Sequence, residues 1–465
     1  MPVSIASILS LARAGATQHA WERFTAAGYS TCLDDPSVLT LKARLLKDKA
    51  RAAMGAERVV LFSKSSAAYL AAAKIVPHDS YPLINAATIA LFAGDRSTSV
   101  ALAHDVLTLL SRYDDAGETP YWRAATRAEA LLLLGDVDGA QLALAQAVKR
   151  APHAWEDHAA TLRQFALILS ETGADPQWLN PFRPPSALHF SGILGIAADD
   201  SVAAQGINAA VDRIAPGFGY GAIAAGADIL IAECLITRAA ELHIILPCDP
   251  RLFRSVSVEP YRADWADRYD ALMDAATSVT ICANPPTLSA AAISLADQCA
   301  MGMALEKAAI LQCLPVSLRV EPEGRLQAVE LWSATGHAIH RLSIDPAISD
   351  HPGVAMAEGA LGYFVAMGDA ESSIEPRVYA TLKDALAALP SDGPRAAVDV
   401  AIGQVAETDA IRMAAILRNA APGTILASQN AAMAALAQNL VKRVEPMGEM
   451  AYPEGALPLY AITRR

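Results

Sequence analysis

Two glycine-rich patches carry the residue types that recognition of a phosphate-bearing ligand would require. One is Ser191-Gly192, which closes an apolar run; the other is Gly217-Phe218-Gly219-Tyr220-Gly221, followed by Gly226-Ala227-Asp228. Glycine lets backbone N–H groups approach an anion more closely than a Cβ permits, and the N–H groups that open a helix favour negative charge. Ser191, Gly192, Gly219, Tyr220, Gly221, Gly226 and Asp228 are therefore the candidate ligand-binding residues. The patches do not reproduce the dinucleotide-binding fingerprint, and the chain has no Walker lysine motif. On spacing alone, Gly226 serves equally well to let a helix pack close to a strand, and Asp228 to cap that helix.

Other reactive side chains form no complete set. Glu233 falls on the helix after the second patch, where it either faces a ligand or is a solvated helix carboxylate. His337 and His340 stand three apart with no third ligand at metal-binding spacing, and His153 and His158 flank a helical boundary as expected surface residues. The six cysteines show no Cys-x-x-Cys pair and read as reduced core thiols, so neither a metal site nor a resident cofactor is expected.

Three kinds of sequence text must position these residues. Residues 1–178 are rich in Ala and Leu, with apolar positions at helical spacing between Gly, Asp or Pro breaks. There Gly135, Ala140, Leu144, Ala147 and Pro152 fall at the offsets of a tetratricopeptide-like helical hairpin, partly repeated by Gly15, Ala20, Phe24 and Ala27, by Tyr69, Ala72 and Pro77, and by Gly94-Asp95. Residues 186–345 alternate strand-like and helix-like segments, which implies a Rossmann-like, mostly parallel sheet. Residues 350–465 show further strand and helix patches, read as a small α+β domain. The expected fold class is thus multi-domain: all-α repeats, an α/β sheet, then an α+β tail.

Composition bounds the partners. A chain of 465 residues divides into about three ordinary domains. With 53% hydrophobic and 18% charged residues, it can bury a large core. Its 37 Lys and Arg against 49 Asp and Glu give a net charge of -12, a field that repels phosphate backbones. No Lys/Arg run offsets this, so nucleic acid is not an expected partner. The first residues lack a basic segment ahead of the apolar stretch, and the most apolar segment, 221–236, carries Asp228 and Glu233. A cytoplasmic protein that does not span a membrane is expected.

The central segment, Ser191-Gly192 with GYGAIAAGADILIAECLITRAAELHIILP, RYDALMDAATSVTI and AMGMALEKA, resembles the SLOG family, Rossmannoid domains related to DprA and LOG proteins. The helices before it, including TPYWRAATRAEALLLLGD, resemble the TRAFs-binding region also seen in apoptosis-signal kinases. The resemblance spans residues 60–345 and implies a nucleotide-derived ligand, sensed in a signalling or conflict setting. Two departures weaken the match: Ile193 stands where similar proteins often place a His, and the PGGxGT motif with its downstream Glu is missing. In the tail, AIGQV, APGTILAS, EPMGE and the closing PLYAI resemble class III nucleotide cyclases, which implies a ferredoxin-like type for this small α+β domain. That resemblance places Asp369 as the first metal carboxylate and leaves the second without a position. It also puts Arg412 and Ile416 where the family has Asn and Arg, which implies a remnant without activity, packed against a neighbouring domain or a second subunit of a homo-oligomer.

The sequence thus points to a non-enzymatic sensor. The central domain holds a nucleotide-derived small molecule and the helical repeats contact a protein partner. The alternatives are a nucleoside or nucleotide hydrolase acting through Glu233, a cyclase using Asp369, or a pure scaffold.

Overall fold

The computed structural model describes residues 4–13, 17–113, 119–283, 285, 287–322, 330–345, 359–368, 376–389, 395–403, 407–452 and 455–465. The chain forms two compact units, Met1–Pro184 and Pro185–Arg465.

The first unit is helical among its described residues: α1 (Ile5–Arg13), α2 (Thr17–Ala26), α3 (Pro36–Ala52), α4 (Gly55–Ile75), α5 (Ser80–Phe92), α6 (Arg96–Arg112), α7 (Pro120–Leu133), α8 (Val137–Arg150) and α9 (Trp155–Thr172). Consecutive helices from α1 to α8 pack on each other, α9 packs on α5 and α7, and two of the turns are built alike. Gly94 and Gly135 take φ of 81° and 83°, a left-handed conformation that suits glycine. The next residue closes each turn, Asp95 N donating to Ala90 O and Asp136 N to Leu131 O, both at 3.0 Å. The same aspartates then cap the following helices, accepting from Thr98 N at 3.0 Å and Gly139 N at 2.9 Å. Ala140, Leu144 and Ala147 are buried, as helical-hairpin spacing requires, as are Tyr69, Ala72, Ala20 and Phe24; Gly15 lies outside the described residues. His158 departs from the surface position expected of it. It is buried, and its ring bonds the Ala151 carbonyl at 2.8 Å.

Among its described residues, the second unit holds two six-stranded sheets. The first contains β1 (Ser186–Ser191), α10 (Ser201–Ile214), β2 (Pro216–Gly221), α11 (Ala227–Thr237), β3 (Glu241–Leu246), α12 (Pro250–Ser257), α13 (Ala263–Ala275), β4 (Ser278–Ile281), α14 (Ala290–Leu311), β5 (Pro315–Glu321), α15 (Glu330–Ala334) and β6 (Ala338–Ser343). Its strands are all parallel in the order β4-β3-β2-β1-β5-β6, so the chain reverses direction across the sheet at β1/β5. The expected parallel sheet is present, with one difference: the segment read as a Gly-rich turn is β2, buried at every position between β1 and β3.

The second sheet contains β7 (Leu361–Gly368), β8 (Arg377–Tyr379), α16 (Leu382–Ala387), β9 (Arg395–Ile402), α17 (Glu407–Asn419), β10 (Ile425–Ser428), α18 (Gln429–Ala437), β11 (Val441–Tyr452) and β12 (Gly455–Arg464). Its order is β11-β12-β10-β9-β7-β8, mixed, with β9 and β10 parallel neighbours. This differs from the ferredoxin-like arrangement expected for the tail, where a strand separates the two strands joined by a crossover helix. Here β9, α17 and β10 form an unsplit crossover.

Helices α14 and α18 join the sheets. Helix α14 packs on β1, β2, β3 and β5, and α18 packs on β9, β10, β11 and β12. Both sequences are apolar nearly all round, which suits helices with neighbours on more than one face, although Ile293 and Ile310 of α14 stay exposed. They approach so closely that a Cβ on Gly302 would stand 2.2 Å from the Met433 carbonyl oxygen. Gln438 Nε2 adds a hydrogen bond to Gln298 Oε1 at 2.8 Å, and Asn439 Nδ2 one to Ala334 O, also at 2.8 Å.

Candidate functional site

The residues expected to bind a ligand separate into two groups. Gly219 and Gly221 serve packing inside β2: a Cβ would stand 2.2 Å from Leu235 Cδ1 at the first and 2.6 Å from the Phe190 carbonyl oxygen at the second. Tyr220 is buried and stacks on His243, with ring centroids 4.6 Å apart. These three do not form a loop around an anion. Ser191, Gly192, Gly226 and Asp228 do meet at the carboxyl end of β1. There Gly192 lets the first turn of α11 press in, since its Cβ would lie 2.3 Å from that of Ala227. Gly226 has φ of 116°, and Ala227 N donates to the Ile193 carbonyl at 3.1 Å. The chain's own carbonyl thus takes an N–H that an anion would use.

Asp228 sits in that first turn, 7% exposed. Its Oδ2 accepts from Ala224 N at 3.4 Å, while Oδ1 has no hydrogen-bond partner among the described residues. Burial pushes its carboxyl up to about 7, against the pull of the Ala224 and Gly192 N–H groups. Nearby lies a buried polar cluster that the sequence reading did not anticipate. The ring of His189 bonds Ser317 Oγ through Nδ1 and Asp297 Oδ1 through Nε2, both at 3.0 Å, and Arg319 Nη2 donates to Asp297 Oδ2 at 3.2 Å. Burial lowers the His189 pKa despite Asp297. At Asp297 burial acts upward, but His189 and Arg319 outweigh it and hold the carboxyl at about 2. These residues lie on β1, α14 and β5, too far apart in sequence for any spacing rule to join them.

The unit also contains a cavity of about 530 Å³. Because α14 and α18 hold the sheets together, the carboxyl end of β4 (Thr280, Ile281, Cys282) opens on the same space as those of β9 (Asp399 to Ile402) and β10 (Ser428). Parallel strands present ligands at their carboxyl ends. Asn430 ties the two sides: its Nδ2 donates to Cys282 O at 2.5 Å and its Oδ1 accepts from Cys299 Sγ at 3.5 Å. On the wall, Arg412 of α17 reaches Asp399 Oδ2 at 2.5 Å and Asp409 Oδ1 at 3.0 Å. Asp399 Oδ1 also accepts from Val400 N at 2.8 Å. Ser428 caps α18 through Ala431 N at 3.3 Å. Pro285, Leu295, Leu457 and Pro458 are apolar members of the lining.

The remaining expected residues stand apart from this cavity. Glu233 accepts from Arg268 Nε at 2.6 Å, beside a shallower groove formed by α10 and α11. Asp369 lies outside the described residues. Ile416 is fully buried. His337 and His340 join no cluster, since no group of three metal-ligating side chains occurs among the described residues. None of the described helices is long and apolar enough to cross a membrane.

No protein-family model matches the chain, and no curated protein does. Among solved structures, a mutant O-GlcNAc transferase of Thermobaculum terrenum is similar at 15% identity, over 69% of this chain and 62% of its own length, with a TM-score of 0.21. The chain therefore spans about three fifths of that protein. At this TM-score the likeness carries no argument.

Proposed function

We propose that this protein is a small-molecule sensor whose ligand, a nucleotide derivative, enters the cavity between β4, β9 and β10. The single observation behind this reading is the convergence of three strand carboxyl ends from two sheets on one space of about 530 Å³, within the size range of small-molecule sites. The lining favours holding over turnover, because Arg412 is fixed between two carboxylates and Asn430 is engaged on both sides. In this reading the parallel sheet is the SLOG-like domain, and the tail is a cyclase-like remnant that completes the pocket instead of carrying out chemistry. The helical hairpins of the first unit offer the surface for a protein partner.

Thermal-shift measurement against nucleosides, nucleotides, cyclic dinucleotides and ADP-ribose derivatives tests the reading. A ligand at 100 times its Kd stabilises the native state by about 2.7 kcal/mol, a shift of several degrees. No shift with any of them at millimolar concentration would refute it.

A further inference from the structure

We infer that the cavity takes an uncharged, ring-bearing ligand with vicinal hydroxyls, a nucleoside, and discriminates against its phosphorylated forms. The inference rests on the small-molecule reading above and specifies the chemistry of that site. Arg412 is the one cationic side chain among the described residues that line the cavity, and Asp399 and Asp409 both hold it, at 2.5 Å and 3.0 Å. Two carboxylates against one guanidinium leave this wall with a net charge of -1, within a chain of net charge -12. A phosphate near that wall meets like-charge repulsion, which is strongest at low salt.

The helix starts offer an anion little relief. Asp409 lies in the first turn of α17, where its carboxylate already answers the helix dipole. At α18 the Ser428 hydroxyl takes the Ala431 N–H. The anion-binding capacity of both helix starts is reduced by the protein's own groups.

What the cavity does offer suits a neutral polar molecule. Carboxylate oxygens carry two lone pairs each, so Asp399 and Asp409 can accept hydroxyl protons while still holding Arg412. An acidic side chain at a strand end is a suitable acceptor for ribose hydroxyls. Thr280 of β4 and Gln429 of α18, both half-buried in the lining, form no side-chain hydrogen bond among the described residues. Between them they offer a hydroxyl, an amide N–H and an amide carbonyl, which is enough to read the edge of a base. Pro285, Leu295, Leu457 and Pro458 add apolar lining against which a ring can pack.

The test is calorimetry on the full chain at pH 7.5 and low salt, with adenosine, guanosine, cytidine and uridine and each 5′-monophosphate. At least one nucleoside should bind, and its monophosphate should bind at least tenfold more weakly. Thr280→Val and Gln429→Ala should each weaken that nucleoside at least fivefold without moving the melting midpoint. Removing one negative charge, by Asp399→Asn or, if that variant folds poorly, by Asp409→Asn, should narrow the tenfold gap. A monophosphate that binds as tightly as its nucleoside overturns this inference and leaves the sensor reading standing. Binding that neither Thr280→Val nor Gln429→Ala affects also overturns it, by placing the ligand elsewhere. If no nucleoside binds, this inference fails, and the sensor reading is then decided by the wider thermal-shift panel.

Discussion

Replacing Gly302 by alanine sets two effects of opposite sign against each other. In an ordinary helix interior the change stabilises by about 1 kcal/mol, through backbone entropy. At Gly302 the new Cβ would stand 2.2 Å from Met433 O and 2.6 Å from its C and Cα, all backbone atoms of α18 that no rotamer change can move. Reaching ordinary van der Waals contact near 3.4 Å requires α14 and α18 to part by about 1 Å, at the seam that holds both sheets. Overpacking of this kind costs typically 1–3 kcal/mol, and the upper end applies where backbone meets backbone. The net expectation is a loss of about 2 kcal/mol. Gly206→Ala in α10 is the control, because its Cβ would meet only Leu342 methyl carbons at 3.8 and 3.9 Å. That variant should gain stability, by up to about 1 kcal/mol. Guanidinium denaturation of both full-length variants, followed through the transition of the second unit, reads the two signs. A Gly302→Ala protein as stable as the parent would refute the close approach of the helices.

Three further outcomes follow from the same geometry. Burial holds the Asp228 carboxyl near 7, above its usual 3.8, so the folded state keeps a proton that the unfolded state has lost. Stability associated with this group is complete below about pH 4 and falls as the pH rises towards 7; Asp228→Asn should remove that fall, raising the melting midpoint at pH 8 and leaving it nearly unchanged at pH 4, and a wild-type slope in the variant would argue against it. Gly221→Ala should destabilise by about 1–3 kcal/mol, since its Cβ would press on the Phe190 carbonyl at 2.6 Å inside the sheet; a normal denaturation midpoint would contradict the packing role assigned to that glycine. In a thiol titration of the native protein, Cys32 and Cys234, both half-buried, should react first, while Cys248, Cys282, Cys299 and Cys313 stay protected until denaturant is added; early modification of Cys299 would place it at the surface.

Short-range physics made much of this molecule legible in the sequence. The Gly94-Asp95 and Gly135-Asp136 turns could be read because a left-handed glycine and a capping aspartate act within four residues. The alternation of β1, α10, α13, β4 and α14 was visible in apolar runs and their breaks, and it implied a parallel sheet. Where residues far apart compete for the same space, local signals gave the wrong sense or none. The glycines of β2 look like a turn because glycine is locally turn-forming, yet the structure uses them as strand positions where Leu235 and Phe190 leave no room for a Cβ. The His189–Asp297 contact joins residues 108 positions apart, and the Asn430–Cys299 contact residues 131 apart. The split crossover expected of the tail followed from its cyclase resemblance, since sequence order alone does not say which strands become neighbours. The cavity, too, was set by tertiary structure alone: it exists because a glycine in α14 lets α18 approach at backbone distance and brings the carboxyl ends of two separate sheets together. Capping and turn formation are encoded within a few residues, whereas the steric fit of two helices depends on side chains and backbone that meet only once the whole unit has folded.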